Sequence, residues 1–339
     1  MRIAIATVHA PFIEGGAEAH AQGLLRACRA AGHEADIVEM PFRFFPPKAV
    51  LRSMEQWESE DFECMSGYVP DRVICLKFPT YYLRHPKKAV WLLHQHRAAY
   101  ELWEDTGPEA RELRERIVEK DTRYLSEARV LFANSENVAR RLKEQNGIEA
   151  RALYHPPPLD GALYTMEAEP FVFMPSRLET LKRQNLLIEA MRYVTAPVFA
   201  LISGAGGQRD HYQRIIEQLG LEERVRLLGA VSREELLAYY AHCLGVFFGP
   251  RDEDYGYVTL EAMLARKPVI TCTDSGGPLE FVREGETGFV VEPEARAVAA
   301  AIDRLHANRA KAAEMGMNGY LRYQAMDISW DNVVALLTE

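Results

Sequence analysis

The chain has few cysteines, no long apolar run and no excess of basic charge. Five cysteines occur in 339 residues. Cys28, Cys64, Cys75, Cys243 and Cys272 are odd in number, unlike a disulfide framework, and lack the close spacing of zinc ligands, so no metal site is expected. They read as packing residues in a reducing compartment, which points to a cytoplasmic protein. No apolar stretch approaches the roughly 18 residues that a membrane span needs. Arg2-Ile3-Ala4-Ile5-Ala6 starts a strand at once, so the reading includes neither a leader nor a spanning helix. Lys and Arg number 40 against 49 Asp and Glu, a net charge of −9. That balance argues against nucleic acid as a partner, because neutralising phosphates takes a basic face. Gly204-Ala205-Gly206 also lacks the third glycine of a dinucleotide fingerprint, which speaks against NAD.

What is present is an ordinary globular composition, 48% hydrophobic and 26% charged. Its length suggests about two domains. Short apolar runs alternate with helical patterns throughout, as in a parallel α/β chain. The stretch from Gly245 to Met263 organises the rest. Val246-Phe247-Phe248 reads as a buried strand, an acidic turn follows, and Val258 to Arg266 reads as a helix. Turns of this kind are where open α/β sheets bind ligands. The helix start at Tyr255-Gly256-Tyr257-Val258 offers backbone N–H groups and a positive dipole end to phosphate. Glu253 and Glu261 suit sugar hydroxyls instead, since ionised carboxylates accept strong hydrogen bonds. Phosphate and polyol together indicate a nucleotide sugar. An acidic surface loop before an amphipathic helix is the plain alternative.

Other stretches carry chemistry at equivalent places. Gly15-Gly16 lies in the loop after the first strand. His94 follows the strand ending at Leu93. Arg177 and Lys182 straddle the turn between the strand Phe171–Pro175 and a helix expected over Lys182–Tyr193, where they could converge on a diphosphate. Residues 40–60 resist assignment, and no acid occurs between Glu39 and Glu55. From Arg72 to Tyr100 there are six Lys/Arg and no Asp/Glu. With the upstream aromatics this forms a candidate surface for peripheral contact with an anionic membrane, on its inner face, against the plain alternative of a solvated basic face.

Glu253, seven residues, Glu261, then Ala262-Met263 and Pro268-Val269-Ile270 resembles the signature of family 4 retaining glycosyltransferases (glycosyl transferases group 1). Ser275-Gly276-Gly277-Pro278-Leu279-Glu280 is similar to that family's Gly-Gly-x-x-Glu turn. Lys267 and Tyr255 stand where Gly and Phe are common in it. The resemblance implies an α/β protein of the GT-B fold, two Rossmann-like domains facing a central cleft. Residues 1–160 would bind the acceptor, 161–325 the nucleotide sugar, and 326–339 would form a terminal helix crossing back to the first domain. It also implies retention of anomeric configuration, a nucleotide-diphosphate sugar (UDP or GDP type) as co-substrate, and neither metal nor cofactor. The acceptor would be a glycan, a lipid-linked or a small molecule. Arg177 and Lys182 would neutralise the leaving diphosphate, Glu253 would orient the sugar near its anomeric carbon, and His94 would lie near the transferred sugar. Gly15, Gly16 and the strand-end positions Gly204 and Val231 would line the donor site, with Glu261 on the ribose. A catalytically silent sugar-nucleotide binder and a sugar-nucleotide epimerase are the rivals, and the silent form should have lost Glu253, Arg177 or Lys182.

Overall fold

The computed structural model describes residues 1–12, 15–63 and 67–339. Residues 13 and 14 of the first loop and Cys64 lie outside that description. The described chain divides into one unit of Met1–Pro158 with Ile328–Glu339 and a second of Leu159–Asp327. Pro156-Pro157-Pro158 ends the first segment of the first unit, where proline rings can continue neither helix nor strand.

In the first unit β1 (Arg2–His9), α1 (Gly16–Ala30) and β2 (Glu34–Pro41) form the expected βαβ start. Then come α2 (Pro47–Ser59), β3 (Arg72–Cys75), β4 (Lys88–Leu92), α3 (Pro108–Ser126), β5 (Val130–Ala133), α4 (Glu136–Asn146) and the two-residue β6 (Arg151–Ala152). The strands pair in parallel, in the order β2-β1-β3-β4-β5-β6. Ser135 caps α4 through Val138 N–H at 3.0 Å, as its position before the helix predicts. Helix α2 falls in the stretch that resisted assignment. Pro47 occupies its first turn, and Val50, Met54 and Trp57 are buried at helical spacing.

The second unit contains β7 (Phe171–Pro175), α5 (Gln184–Ala190), β8 (Phe199–Ser203), α6 (Arg209–Leu219), β9 (Val225–Gly229), α7 (Arg233–His242) and β10 (Gly245–Phe247). It continues with α8 (Tyr257–Leu264), β11 (Val269–Cys272), α9 (Pro278–Phe281), β12 (Gly288–Val291), α10 (Ala295–Ala307) and α11 (Arg309–Ala325). The sheet order is β12-β11-β10-β7-β8-β9, again parallel. Ser232 and Glu235 close a capping box on α7. One expectation is corrected: the helix does not run from Lys182. Residues 180–182 form a 3-10 turn, Arg183 takes a left-handed conformation with φ 58°, and α5 starts only at Gln184.

The terminal helix α12 (Trp330–Thr338) belongs to the first unit and packs on α1. Val333, Val334 and Leu337 join Leu24, Leu25 and Trp91 in a buried cluster. Trp330 lies beside a fully buried histidine pair, His20 Nδ1 and His155 Nε2 being 3.0 Å apart. Burial pushes the His20 ring down to about 3, so it stays neutral in this apolar setting.

Gly23 makes that docking fit. A Cβ there would lie 2.3 Å from Cζ2 of Trp330. Alanine is the better helix former by about 1 kcal/mol, but the half-buried indole packs against Trp91 and His155, so moving it aside costs those contacts. Overpacking of about 1–3 kcal/mol therefore wins. Gly23→Ala is expected to lower the denaturation midpoint, and an unchanged or raised midpoint would refute the fit of Trp330 on α1.

Candidate functional site in the second unit

Three turns at the carboxyl ends of neighbouring strands β7, β10 and β11 are joined by their backbones. Arg251 N–H donates to the Leu181 carbonyl at 2.8 Å, Asp252 N–H to Asp274 at 2.9 Å, and Glu253 N–H to Ser275 at 2.9 Å. Gly277 N–H returns a bond to the Glu253 carbonyl at 2.8 Å. The acidic turn after β10 is thus fixed from both sides.

Side chains follow the same plan. Lys182 Nζ donates to Glu253 Oε2 at 2.5 Å, with about four-fifths of each side chain covered. The ammonium also stands 5.6 Å from the centroid of the Phe248 ring. Next to it, the Arg183 guanidinium makes a two-pronged pair with Asp274, at 2.7 and 2.6 Å. That pair holds the Asp274 carboxyl below the usual carboxylate range. It also spans from the turn after β7 to the turn after β11, over the turn after β10 that carries Glu253. A non-glycine residue at φ 58° costs about 1–2 kcal/mol, and the bidentate pair offsets that cost. Sequence reading passed over both residues. The signal was present, because Asp274 lies two residues past β11 and Arg183 directly follows Lys182.

Helix α8 begins one residue before the expected Val258 and ends at Leu264, two residues short of Arg266. Gly256 caps it at φ 90°, and among the described residues no side chain caps it and no acid sits in its first turn. Tyr255 is buried against Phe281, with rings 5.7 Å apart, and Tyr257 and Val258 are half-buried in the first turn. A helix start of this kind presents backbone N–H groups and a positive dipole end. Glu261, one turn on, is 8% exposed and accepts a 2.6 Å hydrogen bond from the Tyr240 hydroxyl. Burial pushes its carboxyl up to about 7, and the Tyr240 bond works in the opposite direction. Tyr240 had no signal in the sequence beyond a helical apolar pattern.

The other named positions are placed separately. Arg177 is exposed, and its carbonyl accepts from Gln184 Nε2 at 2.8 Å. Val231 is half-buried between β9 and the Ser232 cap. Gly204 has φ 134°, and a Cβ on it would sit 2.1 Å from the Ser176 carbonyl oxygen. Its glycine is required by the close passage of two strand-end loops, a reason unrelated to a dinucleotide.

In the first unit, Gly15 caps α1 and its N–H donates to Glu18 Oε2 at 2.9 Å. Glu18 Oε1 accepts from Lys77 Nζ at 3.3 Å. Gly16 is the first residue of α1. His94 is half-buried with Nδ1 2.7 Å from the Gln95 carbonyl. A carbonyl can only accept, so Nδ1 carries a proton and Nε2 is the nitrogen left for chemistry. Among the described residues no group of three His, Cys, Asp or Glu is placed to hold a metal ion.

Residues 163–322 match the family described as glycosyl transferases group 1. Human alpha-1,3/1,6-mannosyltransferase ALG2 is 29% identical over 163 residues, 43% of this chain and 39% of that protein. The GDP-mannose-dependent alpha-(1-6)-phosphatidylinositol monomannoside mannosyltransferase of Mycolicibacterium smegmatis is 33% identical over 176 residues, 48% of this chain and 45% of that one. The chain spans less than half the length of these relatives. Among solved structures, sucrose-phosphate synthase from Thermosynechococcus elongatus superposes with a TM-score of 0.79 at 20% identity, covering 99% of this chain and 96% of that one. Anabaena Alr3699/HepE in complex with UDP and glucose gives 0.69 at 18% identity, covering 99% and 98%. The site on β7, β10 and β11 therefore lies in a domain of the glycosyl transferases group 1 family, carried by a chain with the two-domain α/β architecture of the GT-B fold.

Proposed function

We propose that the chain is a family 4 retaining hexosyltransferase that moves sugar from a UDP- or GDP-type donor without a metal ion. One observation carries this reading: the Lys182–Glu253 pair joins the turn after β7 to the turn after β10, and the latter leads to the start of α8, which no side chain caps. Lys182, Arg177 and the helix start take the diphosphate, stabilising charge as the glycosidic bond breaks. Glu253 orients the sugar, and Glu261 accepts from the ribose hydroxyls. The second unit holds the donor and the first the acceptor, with His94 Nε2 near the transferred sugar and Gly15-Gly16 along the donor. Relatives that are mannosyltransferases and a fold relative bound to UDP support the donor class. The presence of Arg177, Lys182 and Glu253 favours catalysis over silent binding.

The test is thermal stabilisation by a panel of UDP-, GDP-, ADP- and dTDP-sugars without added metal. A response to one donor, followed by transfer from it, supports the reading. No response to any of them would reject it.

We place the protein in the cytoplasm, in peripheral contact with the inner membrane face. No helix among the described residues is long and apolar enough to cross a membrane. Of the basic residues between Arg72 and Tyr100, Arg72, Lys77 and Lys88 are buried, so the surface narrows to its upstream part, where Arg43, Phe45 and Lys48 are exposed just before and within the first turn of α2, Phe45 by 78%. Anionic vesicles are expected to retain the protein at low salt and release it at high salt, since surface attraction is screened within about a Debye length. Absence of retention at any salt concentration would dismiss the membrane contact.

A further inference from the structure

The first unit contains a cavity of about 300 Å³ to which the donor chemistry gives no role. Its wall is largely apolar: Val8, Phe42, Phe44, Phe78 and Leu102. The aromatics brace one another, Phe42 meeting Phe44 at 4.9 Å and Phe78 at 6.0 Å between ring centroids. Phe78 also lies 4.9 Å from the buried His96 ring. Its polar groups are Lys77, after β3, and the run His94-Gln95-His96-Arg97, after β4.

Its location is informative. Val8 lies near the end of β1, and Lys77 and Phe78 follow β3, the neighbouring strand. The chain leaves β1 toward β2 on one side, while β3 and β4 extend the sheet on the other. Such a point of reversal, at the carboxyl ends of the strands, is where open α/β sheets take ligands. The cavity is also held in shape from beneath. Tyr81, Tyr82 and Tyr100, on the segments that supply Phe78 and Leu102, all donate to the buried carboxylate of Asp121, at 2.9, 2.6 and 2.8 Å.

We propose that this cavity binds an alkyl or aryl portion of the acceptor, so that the acceptor is an amphiphile and not a free sugar. The inference rests on the glycosyltransferase reading and adds the chemical class of the second substrate. A sugar ring buried here would leave hydroxyls facing phenyl and isobutyl groups, at about 1–3 kcal/mol for each unpaired group. An apolar group gains instead from every Å² removed from water. A 150 Å³ apolar cavity is known to hold benzene, so about 300 Å³ admits an aryl group with a short alkyl extension. The polar end of the acceptor then leaves beside Lys77 and His94.

The experiment compares methyl, phenyl and n-octyl β-D-glucoside, one sugar with three aglycones, by ligand-observed NMR on the whole chain. Phenyl and octyl glucosides are expected to bind at least tenfold tighter than methyl glucoside. Phe44→Glu and Leu102→Glu, both at exposed rim positions, are expected to weaken those two at least tenfold without lowering the melting temperature. Equal affinity for all three, no binding by any, or aglycone binding that survives both substitutions would overturn the proposal. Donor stabilisation of the wild-type protein is measured alongside. A donor response without aglycone preference removes the cavity proposal alone, and absence of any donor response removes the reading beneath it.

Discussion

Replacing Lys182 by alanine is expected to slow sugar transfer by about 100-fold or more, the usual scale for losing one charge-stabilising group. Donor binding should fall by less, because in the proposed site the phosphate would also meet the start of α8. The structure explains why so much rests on one side chain. Lys182 lies in a 3-10 turn that the next residue terminates, so it has no helix to fix it. Its position comes from Glu253 at 2.5 Å and from the Phe248 ring beneath it. Once the ammonium is gone, the diphosphate loses a cation and Glu253 loses its counter-charge, in a site about four-fifths closed to water. Both losses act on the step in which charge moves to the leaving group. Initial rates with saturating donor decide the matter, and wild-type turnover in Lys182→Ala would reject the diphosphate role.

The second large effect is a pH dependence of donor affinity set by Glu261. Burial pushes its carboxyl up to about 7, against an ordinary value of 4.5. Above about 7 it is an anion and accepts strongly from ribose hydroxyls, while below that value it carries a proton. Donor affinity should therefore rise by about fivefold from pH 6 to pH 8, because a roughly tenfold preference for the anion, the low end of what a hydrogen bond to a charged group contributes, is spread over a titration centred near 7. Stability of the free protein should move the other way. The folded chain holds this proton more tightly than the unfolded chain, so the contribution is full below about 4.5 and is lost as pH rises through about 7. Glu261→Gln should flatten both profiles and keep donor affinity near its low-pH level. Calorimetric titration at the two pH values measures the first effect, and a flat wild-type profile would contradict the ribose role.

Much of this arrangement was legible in the residues. Strand ends at Pro175 and Ala133, the Ser135 cap and the Ser232–Glu235 box depend on chemistry within a few positions, and each stands where the local pattern puts it. The Glu253 turn was legible because strand, turn and helix are contiguous. What escaped depends on residues distant in sequence. Arg183 breaks the helix expected at Lys182 because it pairs with Asp274, 91 positions away. Tyr240 reaches Glu261 across 21 positions. Helix α2 was hidden because the prolines and aromatics just before it, Pro41 to Pro46, resemble an irregular segment, although Pro47 opens the helix and Trp57 anchors its inner face. The Gly204 loop shows the converse, a suggestive pattern that backbone crowding accounts for.

The return of α12 to α1 has a consequence for biosynthesis. The first unit begins to leave the ribosome first, yet it needs residues 328–339, made after the whole of the second unit. Until they emerge, the groove over Gly23 and the apolar faces of Leu24 and Leu25 have no cover. The second unit is uninterrupted in sequence, so it can complete its core while the earlier one waits. A released chain that stops just before Trp330 would therefore present a second unit with its core complete and a first unit open to chaperones and proteases.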